Sequence, residues 1–129
     1  MTHGVFQVPE PKNEPVTDFA PNSAERASLQ AALKEAASEQ VEVPLVIGGE
    51  EVRTGDTAEI VMPHDHGHVL GVFHKAGPKE VAAAIEAAEG ARADWAALPW
   101  EDRAAVFLRA AELLETTWRD RVNAATMLN

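Results

Sequence analysis

The chain has 129 residues, a mass of 13.9 kDa and a net charge of −10, and its length suits at most one domain. The acidic charge argues against binding to nucleic acid or to an anionic membrane surface, and the absence of cysteine excludes disulfides, thiolate zinc sites and a cysteine nucleophile within this chain. No apolar stretch is long enough to span a membrane and the first residues resemble no export or transit signal, so we expect a cytoplasmic protein.

Residues 1–22 predict an extended arm. They hold four of the eight prolines of the chain, and proline lacks the N–H group that a helix or a strand ladder requires. The apolar side chains that could anchor the arm to a surface are Val5, Phe6, Val8, Val16 and Phe19. We therefore divide the chain into the arm at 1–22 and a folded part at 23–129.

A helix follows the arm, with Asn22 or Ser23 as its cap and Glu25 in its first turn, near the positive end of the helix dipole. The apolar stripe of this helix is thin, so the helix needs a partner surface. The alternation of residues over Val41–Ile47 then predicts a strand, and Pro44 within it indicates an edge position.

Three more strands are expected. The Gly48-Gly49 pair predicts a tight hairpin turn into a strand at 50–52, because two glycines permit the positive φ values of such a turn. Two short strands are predicted at 59–62 and 69–74, with a loop between them at 63–68.

Helical spacing dominates the rest of the chain. It predicts helices at about 79–97 and 100–115, the first beginning at Gly77-Pro78. Their apolar stripes are the widest in the chain, so we expect an antiparallel hairpin with the stripes facing each other. The stripe residues are Val81, Ala84, Ile85, Ala88, Ala91 and Trp95 in the first helix, and Ala104, Phe107, Leu108, Ala111 and Leu114 in the second.

A third helical segment runs from Trp118 to Leu128, with Thr116 or Thr117 as its cap. It reaches Asn129 without a glycine, a proline or another stop signal, so we expect a truncated helix in a truncated chain. The isolated chain is expected to be marginally folded, with the two long helices as its most persistent part because their contacts are local.

A histidine cluster is the densest group of chemically active side chains: His64, His66 and His68 around Asp65, with His74 further along. Alternate residues of an extended segment point the same way, so imidazoles at this spacing could bind zinc. A solvated turn explains the aspartate and the glycine of the cluster without metal, and a metal site usually needs a ligand from elsewhere. We expect no metal here and keep a metal-binding module as a less favoured alternative.

No other motif supplies a catalytic or nucleotide site. Gly48-Gly49 does not open a helix and lacks the spacing of a nucleotide-binding loop. The acidic pairs Glu50-Glu51 and Glu101-Asp102 consist of adjacent residues whose side chains point apart, so solvated faces explain them. No nucleophile context supports a Ser/His/Asp set.

Three tryptophans, Trp95, Trp100 and Trp118, could form a binding platform. Trp95 and Trp118 continue apolar stripes, so we interpret them as core or interface residues. A small helical adaptor that docks through Trp95, Phe107 and Trp118 remains the alternative from a different functional class.

In their order and spacing these segments resemble the N-terminal part of an aldehyde dehydrogenase, and most of all the L-glutamate γ-semialdehyde dehydrogenase (1-pyrroline-5-carboxylate dehydrogenase) family. The segments that carry the resemblance are Asn13-Glu14-Pro15-Val16; Ser23-Ala24-Glu25-Arg26 with Leu29 and Leu33; Ile47-Gly48-Gly49-Glu50-Glu51-Val52; Pro63 with His66-Gly67-His68; Ala84-Ile85-Glu86-Ala87-Ala88 with Trp95; Asp102-Arg103-Ala104 with Phe107-Leu108, Ala110-Ala111 and Leu113-Leu114; and Asn123 to Met127. The arm and the following helix distinguish this family from other aldehyde dehydrogenases. The resemblance covers nearly the whole chain.

The resemblance implies an α/β fold of the aldehyde dehydrogenase type, present here as an extended arm, one helix, short antiparallel strands, a helical hairpin and a truncated third helix. It implies a full-length enzyme that oxidises L-glutamate γ-semialdehyde to glutamate with NAD in proline degradation, through a cysteine thiolate and a glutamate-activated water. In that family the catalytic residues and the cofactor-binding segments lie beyond the position of Asn129. We therefore expect no catalytic, cofactor-binding or metal-binding residue in this chain, no bound NAD and no activity of the chain alone.

The resemblance also implies the role and the partners of the chain. Residues 23–129 correspond to the outer part of the NAD-binding domain, where they give structural support. The expected partners are the remainder of the same polypeptide, the small-molecule substrate of the full-length enzyme and further copies of that enzyme in a homo-oligomer, with no nucleic acid and no membrane.

Overall fold

The computed structural model describes residue 7 and residues 9–129. Its elements are α1 (Ala24–Ser38), β1 (Val41–Val43), β2 (Leu45–Ile47), β3 (Glu50–Val52), β4 (Thr57–Met62), β5 (Asp65–His74), α2 (Pro78–Ala97), α3 (Trp100–Glu115) and α4 (Arg119–Leu128). The predicted order of an arm, one helix, short strands and then helices is confirmed. Val5, Phe6 and Val8, which were expected to anchor the arm, lie outside the described residues.

The start of α1 follows its sequence signals. The hydroxyl of Ser23 accepts a hydrogen bond from the backbone N–H of Arg26 at 3.3 Å, and Glu25 lies in the first turn. The partner surface that this helix needs is α4: the two helices pack together, and the Ser28 hydroxyl donates to the Asp120 carboxylate.

The strand predicted over 41–47 is two strands in two sheets, so the single-strand prediction is wrong. β1 pairs in parallel with β5, whereas β2 pairs antiparallel with β3. The change occurs at Pro44, which has no N–H to donate to a continuous ladder. β1 does occupy the edge of its sheet, whose strand order is β1-β5-β4, as Pro44 indicated.

Two tight turns build the hairpins. Between β2 and β3, Gly48 and Gly49 have φ values of 61° and 87°, which confirms the predicted glycine turn. The predicted loop at 63–68 is wrong, because Met62 pairs with Asp65 and leaves only Pro63-His64 as the turn between β4 and β5.

The helices of the C-terminal half have the predicted bounds, and α2 begins at Gly77-Pro78 as predicted, but the cap of α4 and the contacts of α2 and α3 differ from the predictions. At the start of α2 the Glu80 carboxylate accepts from the Gly77 N–H at 2.9 Å. Thr116 ends α3, where its hydroxyl donates to the Glu112 carbonyl, and α4 is capped by Trp118 instead. The expected facing of the two stripes is absent from this chain: α2 contacts mainly β2, α3 contacts mainly α4, and Phe107 is 68% exposed.

The buried residues cluster around the three-stranded sheet. The buried residues in the described part of the chain are Met62 of β4, Leu70, Gly71 and His74 of β5 and Ala124 of α4. They belong to the sheet and to α4, which packs on α1. No helix in residues 9–129 is long and apolar enough to cross a membrane.

Candidate functional site

The structure disperses the histidines of the candidate metal cluster. His64 lies in the β4–β5 turn and His66 is exposed on β5. The Nε2–H of His68 donates to the backbone carbonyl of Ala37 at 2.8 Å, at the end of α1. Across residue 7 and residues 9–129, no group of three or more His, Cys, Asp or Glu side chains is arranged to hold a metal ion. The separate contacts of these rings make this segment a turn and a strand.

The Asp65 carboxylate has a local hydrogen-bonding role that explains this residue without a metal ion. Its carboxylate accepts from the backbone N–H of Gly67 at 3.2 Å, a contact between residues two apart. The side chain therefore binds the backbone of its own segment.

His74 has a structural role and is only 6% exposed. Its Nδ1 accepts from the backbone N–H groups of Thr54 and Gly55, at 3.1 and 3.2 Å, and its Nε2 lies 2.9 Å from a carboxylate oxygen of Glu42. Because Nδ1 accepts, the neutral ring carries its proton on Nε2 and donates it to Glu42. The imidazole thereby joins β5, β1 and the β3–β4 loop, and both nitrogens are used.

Glu42 is shared between His74 and Arg53. The Arg53 Nε lies 3.2 Å from one Glu42 oxygen, and its Nη2 lies 2.9 Å from the Glu51 carboxylate. Hydrogen bonds from His74 and then from Arg53 hold the pKa of the Glu42 carboxyl below its usual 4.5. Hydrogen bonds to Glu51 and Glu42 raise the pKa of Arg53. The charged triad of Glu42, Arg53 and Glu51 is exposed and ties β1 to the β2–β3 hairpin.

The sequence analysis did not single out Glu42. A glutamate between two valines on a short strand is typical of a solvated face, and its histidine partner lies 32 residues further along the chain. Spacing within one element cannot reveal such a pair. The only available signal was the presence of one polar residue on an edge strand.

The other sequence candidates lie apart from one another. Glu50-Glu51 belongs to β3, and Glu101-Asp102 lies in the first turn of α3, where acids favour the helix dipole. Gly48-Gly49 is the hairpin turn and faces α2 through Ala87. Neither acidic pair meets a second ionisable group in an enclosed site.

The tryptophans do not form a buried core in this chain. Trp95, Trp100 and Trp118 are between 41% and 52% exposed. The Arg121 guanidinium lies 5.2 Å from the centre of the Trp118 ring, a cation–π contact on the surface of α4. Their expected packing therefore requires a surface beyond the described residues.

An apolar cavity of about 280 Å³ lies between α1, α4 and the three-stranded sheet. Its lining residues are Ala32, Glu35, Ala36, Glu39, Val41, Ile60, Leu70, Arg121, Ala125, Leu128 and Asn129. The polar groups belong to the rim and do not converge on one point as they do in a catalytic cleft. The shape and the lining of this cavity therefore indicate no catalytic function.

Comparison with known proteins identifies a family. The model of the aldehyde dehydrogenase family matches residues 49–128. Delta-1-pyrroline-5-carboxylate dehydrogenase of Agaricus bisporus is 47% identical over 124 residues, covering 95% of this chain and 23% of that protein. The mitochondrial delta-1-pyrroline-5-carboxylate dehydrogenase of Homo sapiens is 42% identical over 116 residues, covering 90% of this chain and 21% of that protein.

A solved structure has the same fold. The Delta-pyrroline-5-carboxylate dehydrogenase from Mycobacterium tuberculosis, in a crystal structure with bound NAD, superposes with a TM-score of 0.93 at 48% identity. The match covers 98% of this chain and 24% of that one. The chain therefore spans less than a quarter of the length of each of these relatives.

Proposed function

The chain belongs to the aldehyde dehydrogenase family, and on that premise we propose that it is part of an NAD-dependent enzyme that oxidises L-glutamate γ-semialdehyde to glutamate in proline degradation. The observation that carries the proposal is the 47% identity to a delta-1-pyrroline-5-carboxylate dehydrogenase across 95% of the chain. The matched fold of the relative from Mycobacterium tuberculosis supports it independently.

The proposed role of this part of the enzyme is structural. Residues 1–22 act as an arm, and residues 23–129 form the outer part of the NAD-binding domain. The chain has no cysteine to form a thiohemiacetal with an aldehyde, so the nucleophile of the family's reaction must come from elsewhere. We assign no catalytic, cofactor-binding or metal-binding residue to this chain.

The described residues do not fit the pyrophosphate of NAD. Anions bind where a helix start offers free N–H groups. Ser23 and Glu80 already accept N–H groups at the starts of α1 and α2, and the first turns of α3 and α4 carry Glu101, Asp102 and Asp120. Carboxylates at these positions repel a phosphate, so the starts of these helices do not favour the pyrophosphate.

The activity test uses the protein expressed from its complete reading frame. We expect NADH formation with L-glutamate γ-semialdehyde and little with pentanal, which has the same carbon chain without the amino-acid end. Turnover of pentanal alone would contradict the proposed substrate, and no turnover of either aldehyde would contradict the proposed activity. The 129-residue chain by itself should give no NADH above a blank without protein.

The compartment and the assembly are parts of the same proposal. We propose a cytoplasmic homo-oligomer, although the human relative is named as mitochondrial. Imaging of the tagged protein in its own cells and light scattering of the purified protein test these two points.

Two alternative functions can be tested by experiment. An adaptor would dock through Trp95, Phe107 and Trp118, and it requires the 129-residue chain to melt sharply as a self-sufficient domain. A metal module requires stoichiometric sub-micromolar zinc binding in a calorimetric titration, with the binding lost in the His66→Ala variant. We expect neither result.

A further inference from the structure

The second half of the arm is attached to the folded part through one arginine. The guanidinium of Arg119, in the first turn of α4, lies 3.4 Å from the Glu14 carboxylate. Its Nη2 donates to the Thr17 hydroxyl at 3.1 Å and to the Pro15 carbonyl at 3.5 Å. One side chain thus contacts three of four successive arm residues.

A second arginine fastens the end of the arm. Arg26 of α1 donates from Nη1 to the carbonyl of Phe19 at 3.3 Å. Phe19 and Asn22 have φ values of 50° and 67°, which non-glycine residues rarely adopt and retain only where surrounding contacts fix them. Asp18 closes the local turn by accepting from the Ala20 N–H at 3.0 Å.

Of the predicted apolar anchors that the structure describes, only Phe19 is partly buried. Val16, which was expected to anchor the arm, is 100% exposed, so that prediction is wrong. The Arg119 side chain is 23% exposed and that of Glu14 is 52% exposed, so water and salt reach their ion pair. Exposed ion pairs are screened by salt, whereas apolar contacts are not.

The position of Arg119 is unfavourable for α4 itself. A cation in the first turn of a helix faces the positive end of the helix dipole. The next residue, Asp120, has the favourable sign and bonds to Ser28 of α1. The contacts with the arm explain why an arginine occupies this position in α4.

From these contacts we propose that residues 13–22 form a salt-releasable strap, closed across the starts of α4 and α1 by Arg119 and Arg26, which opens without separating the two helices. The strap is held by charge-assisted hydrogen bonds, and α1 and α4 are held by packing around the buried Ala124. Because the two kinds of contact are separate, the strap has its own opening equilibrium. This proposal does not depend on the enzyme's substrate.

The test is limited proteolysis of the protein expressed from its complete reading frame, using a protease that cleaves before aspartate. The Thr17–Asp18 bond reports opening of the strap, and cleavage before Asp120 reports opening of α4. Each rate is divided by that of a free peptide of the same sequence at the same salt. The variants are Arg119→Met, Glu14→Gln and, as a matched control, Arg109→Met, whose guanidinium pairs with Glu112 on the surface of α3.

We expect Arg119→Met to raise cleavage before Asp18 by about tenfold or more, with cleavage before Asp120 unchanged. Raising the salt from about 0.05 M to 0.5 M should speed cleavage of the wild-type strap, and Glu14→Gln should reduce that salt dependence. A change below about twofold in Arg119→Met, or an equal change in Arg109→Met, would overturn the proposal. So would a parallel rise before Asp120, because Arg119 would then support the fold as a whole.

Discussion

The two halves of this molecule differ in what surrounds their apolar side chains. The sheet unit, consisting of β1, β4 and β5 with α1 and α4, contains every buried residue of the described chain. The two consecutive helices α2 and α3 contain none, although they are the longest helices. The core therefore lies in the sheet unit, whereas the two longest helices leave their apolar stripes exposed.

The difference shows that a wide apolar stripe identifies a face that needs a partner without identifying the partner. Ile85 is 58% exposed and Phe107 is 68% exposed, and both belong to stripes with the spacing of a buried helix face. An exposed apolar face of this extent marks a contact surface. The relative from Agaricus bisporus is about four times longer than this chain, and in a protein of that length we expect the rest of the polypeptide to cover this surface.

The largest expected effect compares one substitution in two contexts. Phe107→Ala should cost less than about 1 kcal/mol in the 129-residue chain and about 3–5 kcal/mol in the complete protein, where we expect the rest of the polypeptide to cover this face of α3. Leu70→Ala is the control, because Leu70 is already 7% exposed here and should cost about 3 kcal/mol in both contexts. Amide hydrogen exchange near each substituted residue measures the loss in both contexts, because it does not require a cooperative unfolding transition of the 129-residue chain. A small loss of stability for Phe107→Ala in the complete protein would show that this face of α3 is exposed to solvent there as well.

Two glycine substitutions sharpen the same comparison. A Cβ on Gly71 of β5 would stand 2.0 Å from the Val41 carbonyl oxygen of the neighbouring strand, whereas nothing lies within 4 Å of a Cβ on Gly90 of α2. Gly71→Ala should therefore destabilise by about 3 kcal/mol, because β1 must move away. Gly90→Ala should be neutral or stabilise by up to about 1 kcal/mol through helix propensity.

Thermal melting of the complete protein compares these two variants directly. A loss in Gly90→Ala as large as that in Gly71→Ala would mean that a covering surface meets α2 closely at that glycine. Equal stability of both variants would contradict the tight approach of β1 to β5.

Hydrogen exchange in the 129-residue chain tests which half persists. Local helical contacts led the sequence analysis to expect the slowest amides at 80–115. The structure argues for the reverse, because only the sheet unit has buried side chains against its hydrogen bonds. Amides of β4 and β5 should exchange at least about tenfold more slowly than those of α2 and α3. The opposite order would restore the local-contact interpretation.

The limits of the sequence analysis follow from the same contrast. Features that act over a few residues were predictable: the Ser23 cap, the Gly48-Gly49 turn and the ends of α2 and α3. Features that depend on distant pairing were not. The parallel partner of Val41 is Gly71, thirty positions away, and nothing in the alternation of β1 points to it. Arg119, which reaches back more than a hundred residues to the arm, gave no local signal except its unfavourable place in a helix start.

The smallest expected effect concerns the charged triad of the sheet unit. Hydrogen bonds from His74 and Arg53 lower the pKa of Glu42 in the folded state, so its contribution to stability is present above the unfolded value and is lost as the pH falls through the folded one. Wild-type stability should therefore decline more steeply from about pH 5 to pH 3 than that of Glu42→Gln. Glu59→Gln is the matched control, because Glu42 and Glu59 both pair in register with Val72 from opposite sides, and Glu59 is exposed on β4. Because the Glu42 side chain is half exposed, the difference between the two pH slopes should be small. Equal slopes for the two variants in urea unfolding would show that the triad fixes the position of the β2–β3 hairpin without stabilising the sheet unit.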